Sequence, residues 1–354
     1  MPRILLILAL TFSVLMACAG SEQSTDSTET EREAVAGGDR VFTVFDYEHI
    51  YFGDENRRSV DLDVTLPGDG LLYEAITLNF DLNCPTLNRC DPWDRVGWLG
   101  VVENAGEESE RVIELHRFIT PYGVGSSWNV DVTNLRPVLT GDVTFRVFID
   151  TWVGPGSQYG DGWSVSAELD FKGGIPERIP VAVEPVLSAT RVVYGNPASP
   201  TSPAHTGSIE VPAGASQASL VAFITGHGQG NHQNCAEFCA KTHDITVGTT
   251  RFEKEIWRDD CATTAAPNQQ GNWQPGRAGW CPGAAAHGWT ELLPEALTPG
   301  QALDVAYGVE AYENTCSPDN CEPSSCVFGN PCEYDGGMHT EPNYLVSLLV
   351  VFYE

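Results

Sequence analysis

The sequence predicts an all-β protein built as two β-sandwiches, on two patterns and one absence. Apolar and polar residues alternate with a period of two over several short runs. Those runs are divided by turns rich in glycine and proline, with 35 Gly and 23 Pro in 354 residues, and no long run of helical spacing competes with them.

The first strand is expected over Val41 to Tyr47. Ile76, Leu78, Phe80 and Leu82 alternate with Thr77, Asn79 and Asp81, a strand buried on one face that leads directly into a cysteine loop. Trp128 to Val132 follows. Val143, Phe145, Val147 and Ile149 repeat the period and deliver Asp150 and Trp152, which stand two residues apart and so on one face, where both can meet one ligand. Trp163 to Phe171 and Ser219 to Thr225 continue the pattern. Tyr344 to Tyr353 is nearly continuous in apolar residues, as expected of a central strand covered on both faces.

Gly173-Gly174 and the prolines Pro176, Pro180 and Pro185 mark a linker, 175–187, between an N-terminal domain, 41–174, and a C-terminal domain, 188–354. Each is of ordinary domain size. A cysteine-rich insertion, 313–336, interrupts the second.

Residues 1–17 read as a leader, with Arg3 in its charged start and an apolar run from Ile4 to Leu15 that is short for a bilayer span. Leu15-Met16-Ala17-Cys18 resembles a bacterial lipobox with acylation on Cys18, although Met16 is unusual there; an ordinary secretory signal is the alternative. Residues 18–40 are rich in Ser, Thr and Glu and read as a disordered acidic tether. No later apolar stretch is long enough for a membrane helix, so attachment to a membrane is expected only through lipid. Ala19 is not the aspartate that marks inner-membrane retention in many bacteria. The expected location is therefore the outer membrane, facing periplasm or cell surface, with secretion as the alternative.

The formal charge of -29 argues against nucleic acid or anionic lipid surfaces as partners. Solubility accounts for it without any appeal to substrate. A monomer is expected.

Beyond Cys18 there are ten cysteines, an even number that can all pair. The spacing of Cys235 and Cys239 also suits half of a zinc site, but no second cysteine-histidine cluster of metal spacing accompanies it, and a disulfide is preferred. Cys316, Cys321, Cys326 and Cys332 lie in the insertion and allow three connectivities. No cofactor and no metal are expected.

Two short cysteine segments carry acids: Cys84-Pro85-Thr86-Leu87-Asn88-Arg89-Cys90-Asp91-Pro92-Trp93-Asp94-Arg95, and Cys235-Ala236-Glu237-Phe238-Cys239. Closed in an oxidising compartment, each small ring would hold its neighbouring acid in one orientation. The motifs GxSxG and HExxH are absent, as is the lone free cysteine of a thiol enzyme, which leaves carboxylates acting on water. Taken alone, Asp94 and Asp91 are equally well turn residues capping backbone amides.

These two segments, with Phe118-Ile119-Thr120-Pro121-Tyr122, Asp150-Thr151-Trp152 and Arg277-Ala278-Gly279-Trp280-Cys281-Pro282-Gly283, resemble the peptide-N-glycosidase F family, amidases that act on asparagine-linked N-acetylglucosamine. The motifs run in the family's order from about residue 40 to the C-terminus. The resemblance implies two eight-stranded antiparallel jelly rolls side by side with the site in the groove between them. It implies the pairs Cys84–Cys90, Cys235–Cys239 and Cys261–Cys281, whereas the four insertion cysteines fall in a loop that the family's best-known member lacks.

The resemblance places the principal catalytic acid on Asp94, within Trp-Asp-Arg, a second on Glu237 and a third on Asp150. Asp91 is the structural neighbour. Asp94 would orient or deprotonate a water that attacks the asparagine side-chain carbonyl, with Glu237 positioning that water or standing protonated near the leaving nitrogen. Arg95 and Arg277 would donate hydrogen bonds to sugar hydroxyls or the developing oxyanion. Trp93, Tyr122, Trp152 and Trp280 offer sugar-facing surfaces, although core packing explains any one Trp equally well. The chain departs from the family at three points: Gly123 stands for a Trp, His227 for another, and Asp150 for a Glu. These leave glycan preference open.

The expected partners are thus N-glycosylated peptides or proteins. Two other readings stand beside an amidase: a glycosidase using two carboxylates, and a surface lipoprotein that binds glycans without turnover. A copper monooxygenase on the same fold is disfavoured, because no His-x-His pair occurs and His227, His232, His243, Met338 and His339 are scattered.

Overall fold

The computed structural model describes residues 35–195, 201–230, 233–312, 314 and 340–354, with backbone alone at 316–317 and 320–321. Strands dominate, and no helix among these residues is long and apolar enough to cross a membrane. Cys18, the tether, His232, Met338 and His339 lie outside the described residues, as do the sulfurs of Cys316, Cys321, Cys326 and Cys332.

Two β-sandwiches of jelly-roll class result. The first stacks a six-stranded sheet on a five-stranded one. Among the described residues eight of its strands are six residues or longer, and three are two-residue ladders. The long strands Leu71–Asn83, Trp163–Gly173 and Arg40–Phe52 lie side by side in the first sheet; Arg111–Ile119, Val96–Glu103, Asp142–Ile149 and Ser59–Thr65 form the second. The alternation read from sequence is the reason: Ile76, Leu78, Phe80 and Leu82 from one sheet meet Val143, Phe145, Val147 and Ile149 from the other in a single core. The second sandwich packs Pro180–Val193, Asn343–Tyr353, Gln217–His227 and Trp289–Leu292 on His205–Glu210, Ala302–Val309, Thr242–Val247 and Thr250–Glu255.

The strand Asn343–Tyr353 explains its own composition. It lies inside its sheet, between Pro180–Val193 and Gln217–His227. Tyr344, Val346, Leu348, Val350 and Phe352 enter the second core, whereas Leu349, Val351 and Tyr353 enter the first. A strand covered on both faces needs no polar alternation. The two sandwiches are therefore joined by apolar packing, and Ala285–Ala286 adds a short ladder to the first sandwich beside Arg111–Ile119.

Residues 175–187 were expected to be a linker, but Pro180–Val193 is a strand at the edge of its sheet. Pro180 and Pro185 sit where the register slips against Asn343–Tyr353. An edge strand with bulges tolerates a residue without an N–H, so proline there does not signal an open linker.

Charge also crosses the junction between the sandwiches. Arg117 donates to both carboxylate oxygens of Glu114 at 2.5 and 2.6 Å, and to Thr225 Oγ1 and the Leu345 carbonyl at 3.0 Å each. Ser347 Oγ donates to Glu114 at 2.5 Å. All these side chains are buried, and every one of the contacts named is charge-assisted or backbone-directed.

Candidate active site

The loop between Leu71–Asn83 and Val96–Glu103 carries Trp93-Asp94-Arg95, and three devices hold it. The Cys84–Cys90 disulfide closes its first part. Asp91 is fully buried: Oδ1 accepts from the Trp93 N–H at 3.0 Å, and Oδ2 accepts from Arg95 Nε at 3.0 Å and from Thr151 Oγ1 at 2.6 Å. Thr120 finishes the work, donating its hydroxyl to the Trp93 carbonyl at 2.9 Å while accepting the Arg95 N–H at 2.8 Å. Asp91 is thus the residue that shapes the turn, leaving the Asp94 carboxylate free to face a partner.

That partner is Tyr122, whose hydroxyl donates to Asp94 Oδ2 at 2.6 Å. Gln269 accepts the Tyr122 N–H at 3.0 Å, and Gln269 is itself pinned by the Ala266 and Pro282 carbonyls at 2.8 and 3.0 Å. Gly271, at φ +81°, lies against the phenol ring, where a Cβ would come within 2.8 Å of it. The Cys261–Cys281 disulfide closes the loop that presents both residues.

Glu237 arrives from the second sandwich in the Cys235–Cys239 ring. Its N–H donates to the Gly228 carbonyl at 3.0 Å and its carbonyl accepts the Ala278 N–H at 2.9 Å, so it is fastened to the segment that carries Arg277. The Arg277 guanidinium is buried between the two acids, with Nε 3.4 Å from Glu237 Oε1 and Nη2 4.0 Å from Asp94 Oδ2. It stands over the rings of Trp280 and Phe238, at 4.8 and 5.1 Å, and donates to the Pro275 carbonyl at 2.9 Å.

Burial raises the pKa of both acids. Asp94 is held back by the Tyr122 hydrogen bond and then by Arg277. Glu237 is pushed to about 8, first by burial and then by the charge of Asp94, against Arg277. Both acids facing the one guanidinium are thus raised by burial, and Glu237, raised further by the charge of Asp94, keeps its proton near neutrality. Burial and Asp94 also raise the Tyr122 phenol, which stays a donor.

Asp94, Arg95 and Asp150 line a cleft of about 520 Å³ whose other wall comes from the second sandwich, including Arg191, His227 and Asn343. Asp150 follows the strand Asp142–Ile149 and accepts from Arg58 Nη1 at 2.9 Å. Burial raises its pKa, countered by Arg58 and Arg95. Arg58 also lies over the Trp152 ring at 4.3 Å and the Phe52 ring at 5.2 Å. Arg58 carries no sequence signal of this role: it sits 92 residues from Asp150 in a segment with no motif.

The aromatic residues divide. Trp93 (37% exposed) and Trp152 (52%) present faces to solvent, and Trp93 packs edge-on against Tyr159 at 5.1 Å. Trp280 does not: it is 2% exposed, with its N–H on the Gly226 carbonyl at 2.8 Å, so it supports Arg277 from below and offers no sugar face. His227 stacks on Trp280 at 5.8 Å and bonds Thr225 at 2.8 Å. Burial lowers its pKa to about 3, which keeps it neutral. Gly123 has φ +73°, with Pro92 Cα 3.8 Å from where a Cβ would stand. Among the described residues, the one cluster with metal-ligand geometry is Asp260, Cys261 and Cys281, and its two sulfurs are bonded to each other.

Two profiles of one family match the chain: the N-terminal part of peptide-N-glycosidase F over residues 99–171 and the C-terminal part over residues 196–320. The chain belongs to the peptide-N-glycosidase F family. The peptide-N(4)-(N-acetyl-beta-D-glucosaminyl)asparagine amidase F of Elizabethkingia miricola is 29% identical over 327 residues, covering 85% of this chain and 87% of that protein. The solved structure of the family's glycosylasparaginase from Flavobacterium meningosepticum superposes with a TM-score of 0.70 at 26% identity, over 90% of this chain and 96% of that one. PNGF-II, at 17% identity and a TM-score of 0.68 over 89% of this chain and 65% of that one, shares the fold.

Proposed function

We propose that the protein hydrolyses the amide bond between asparagine and the innermost N-acetylglucosamine of N-glycosylated peptides, using water activated by carboxylate. The observation that carries this reading is the convergence of Asp94 and Glu237, one from each sandwich, on the single buried guanidinium of Arg277. In its ionised form Asp94 accepts a proton from a water as that water attacks the side-chain carbonyl carbon. Arg277 donates to the oxyanion that develops, in a setting already poor in water. Protonated Glu237 is a donor near the leaving nitrogen. The C–N bond then breaks, leaving aspartate in the peptide and releasing a glycosylamine, which decays to free glycan and ammonia.

Reaction in heavy-oxygen water separates the amidase from a two-carboxylate glycosidase. Label in the peptide's new aspartate supports the amidase; label at the reducing end of the sugar overturns it. Binding of a denatured glycoprotein with no change in its mobility would instead mark a glycan-binding protein without turnover.

The leader supports a further reading of place: acylation of Cys18 would tether a monomeric enzyme to the outer membrane. Cys18→Ser should then move the protein from the detergent to the aqueous fraction. No shift would mean a secreted enzyme.

A further inference from the structure

We propose that a second cleft, in the second sandwich, binds a neutral pyranose of the substrate's glycan away from the reacting amide. It measures about 370 Å³, is lined by Ile224, Lys254, Glu255, Trp257, Asp259 and His287 among others, and shares no lining residue with the active-site cleft. Its size falls in the range of about 300–1,000 Å³ typical of small-ligand sites. The proposal rests on the amidase reading for its choice of sugar.

Trp257 is half-buried, and among the described residues its indole makes no hydrogen bond and no ring contact. Gly276 packs against part of the ring, and Trp257 lines the cleft. Trp289, deeper, is committed elsewhere: its N–H donates to Glu291 at 2.9 Å, and Lys254 Nζ lies 6.0 Å over its ring. The rim carries both signs, Lys254 against Glu255 and Asp259 with His287 beside them, and none of these four side chains has a hydrogen-bond partner among the described residues. Arg258, by contrast, is occupied by Asp260 at 2.9 and 2.8 Å and by the Ala285 carbonyl at 3.0 Å.

These features choose the ligand. A strongly anionic group would meet Glu255 and Asp259 and a strongly cationic one Lys254, whereas sugar hydroxyls both donate and accept. An indole lining the cleft suits the apolar face of a pyranose. Gly279 lines this cleft two residues beyond Arg277, and Arg258 pairs with Arg277 through backbone bonds of 2.8 and 3.0 Å. One short segment therefore carries both Arg277 and a wall of the second cleft.

The test is calorimetric titration of the mature protein carrying Asp94→Asn with a mannose trisaccharide that lacks N-acetylglucosamine. Saturable binding is expected, weakened at least about tenfold by Trp257→Ala. Should Trp257→Ala fail to fold, the exposed rim pair Lys254→Ala with Glu255→Ala carries the same test. Absence of binding overturns the proposal, as does binding that Arg95→Ala removes and Trp257→Ala does not. No turnover is read, so failure of the amidase reading and failure of this site remain distinct results.

Discussion

The hydroxyl of Tyr122 and Oδ2 of Asp94 stand 2.6 Å apart, and Arg277 Nη2 approaches the same oxygen at 4.0 Å. The proposed base thus has one short neutral donor and one more distant cation. Of its attractive partners the phenol does most to lower the Asp94 pKa. Tyr122→Phe should cut turnover by roughly 10- to 100-fold, the value of a hydrogen bond to a charged group. The acid limb of the pH–rate profile should also move upward, because Asp94 would ionise later. Asp94→Asn should abolish turnover while glycopeptide binding persists. A rate near wild type in either variant would remove Asp94 from its role.

Glu237 gives a stability signature independent of turnover. Its folded pKa of about 8 lies above its ordinary 4.5, so the folded state holds a proton that the unfolded state has lost. Its contribution to stability is therefore present below pH 4.5 and declines as pH rises toward 8. Glu237→Gln removes that decline. The melting-temperature difference, variant minus wild type, should widen in favour of Gln across this window. A constant difference would mean that Glu237 is already ionised.

Arg58 and Asp150 should behave as one unit. Each single replacement by alanine should raise KM, since Trp152 loses its guanidinium and the cleft its fixed carboxylate. The double variant should be little worse than either single, with a coupling of about 0.5–3 kcal/mol for groups in contact. Additive losses would make the pair incidental.

At the junction of the sandwiches, Arg117→Leu leaves Glu114 buried without its cation and should cost about 3–5 kcal/mol in urea unfolding. Ser347→Ala removes one hydrogen bond and should cost about 1 kcal/mol. Equal effects would contradict the assignment of Arg117 as the hub.

His116 predicts acid lability. It packs among Phe80, Phe118 and Trp128 with Nε2 unpaired, and burial lowers its pKa from 6.5 to about 3. Stability is then whole above pH 6.5 and is lost as pH falls toward 3. His116→Phe should flatten that limb, by about 1.4 kcal/mol for each pH unit below the ordinary value. An unchanged acid limb would assign the lability elsewhere.

Much of this was legible in the chain itself. Strand alternation depends on a period of two within one segment, so Ile76 to Leu82 and Val143 to Ile149 were placed from local pattern, and the apolar run at Tyr344 to Tyr353 announced a strand covered twice. The paired cysteines and their neighbouring acids were likewise local in sequence. What only the tertiary structure decided were matters of partnership between distant residues. Trp280 was expected to face sugar and instead supports Arg277, because whether an indole is platform or core depends on what covers it. Arg58 carries no local mark of meeting Asp150, and Pro185 looks like a linker residue until its strand is seen at a sheet edge. Side-chain type and spacing are properties of the chain, but burial and charge proximity, which separate Asp94 from Glu237, arise only when two sandwiches close on one guanidinium.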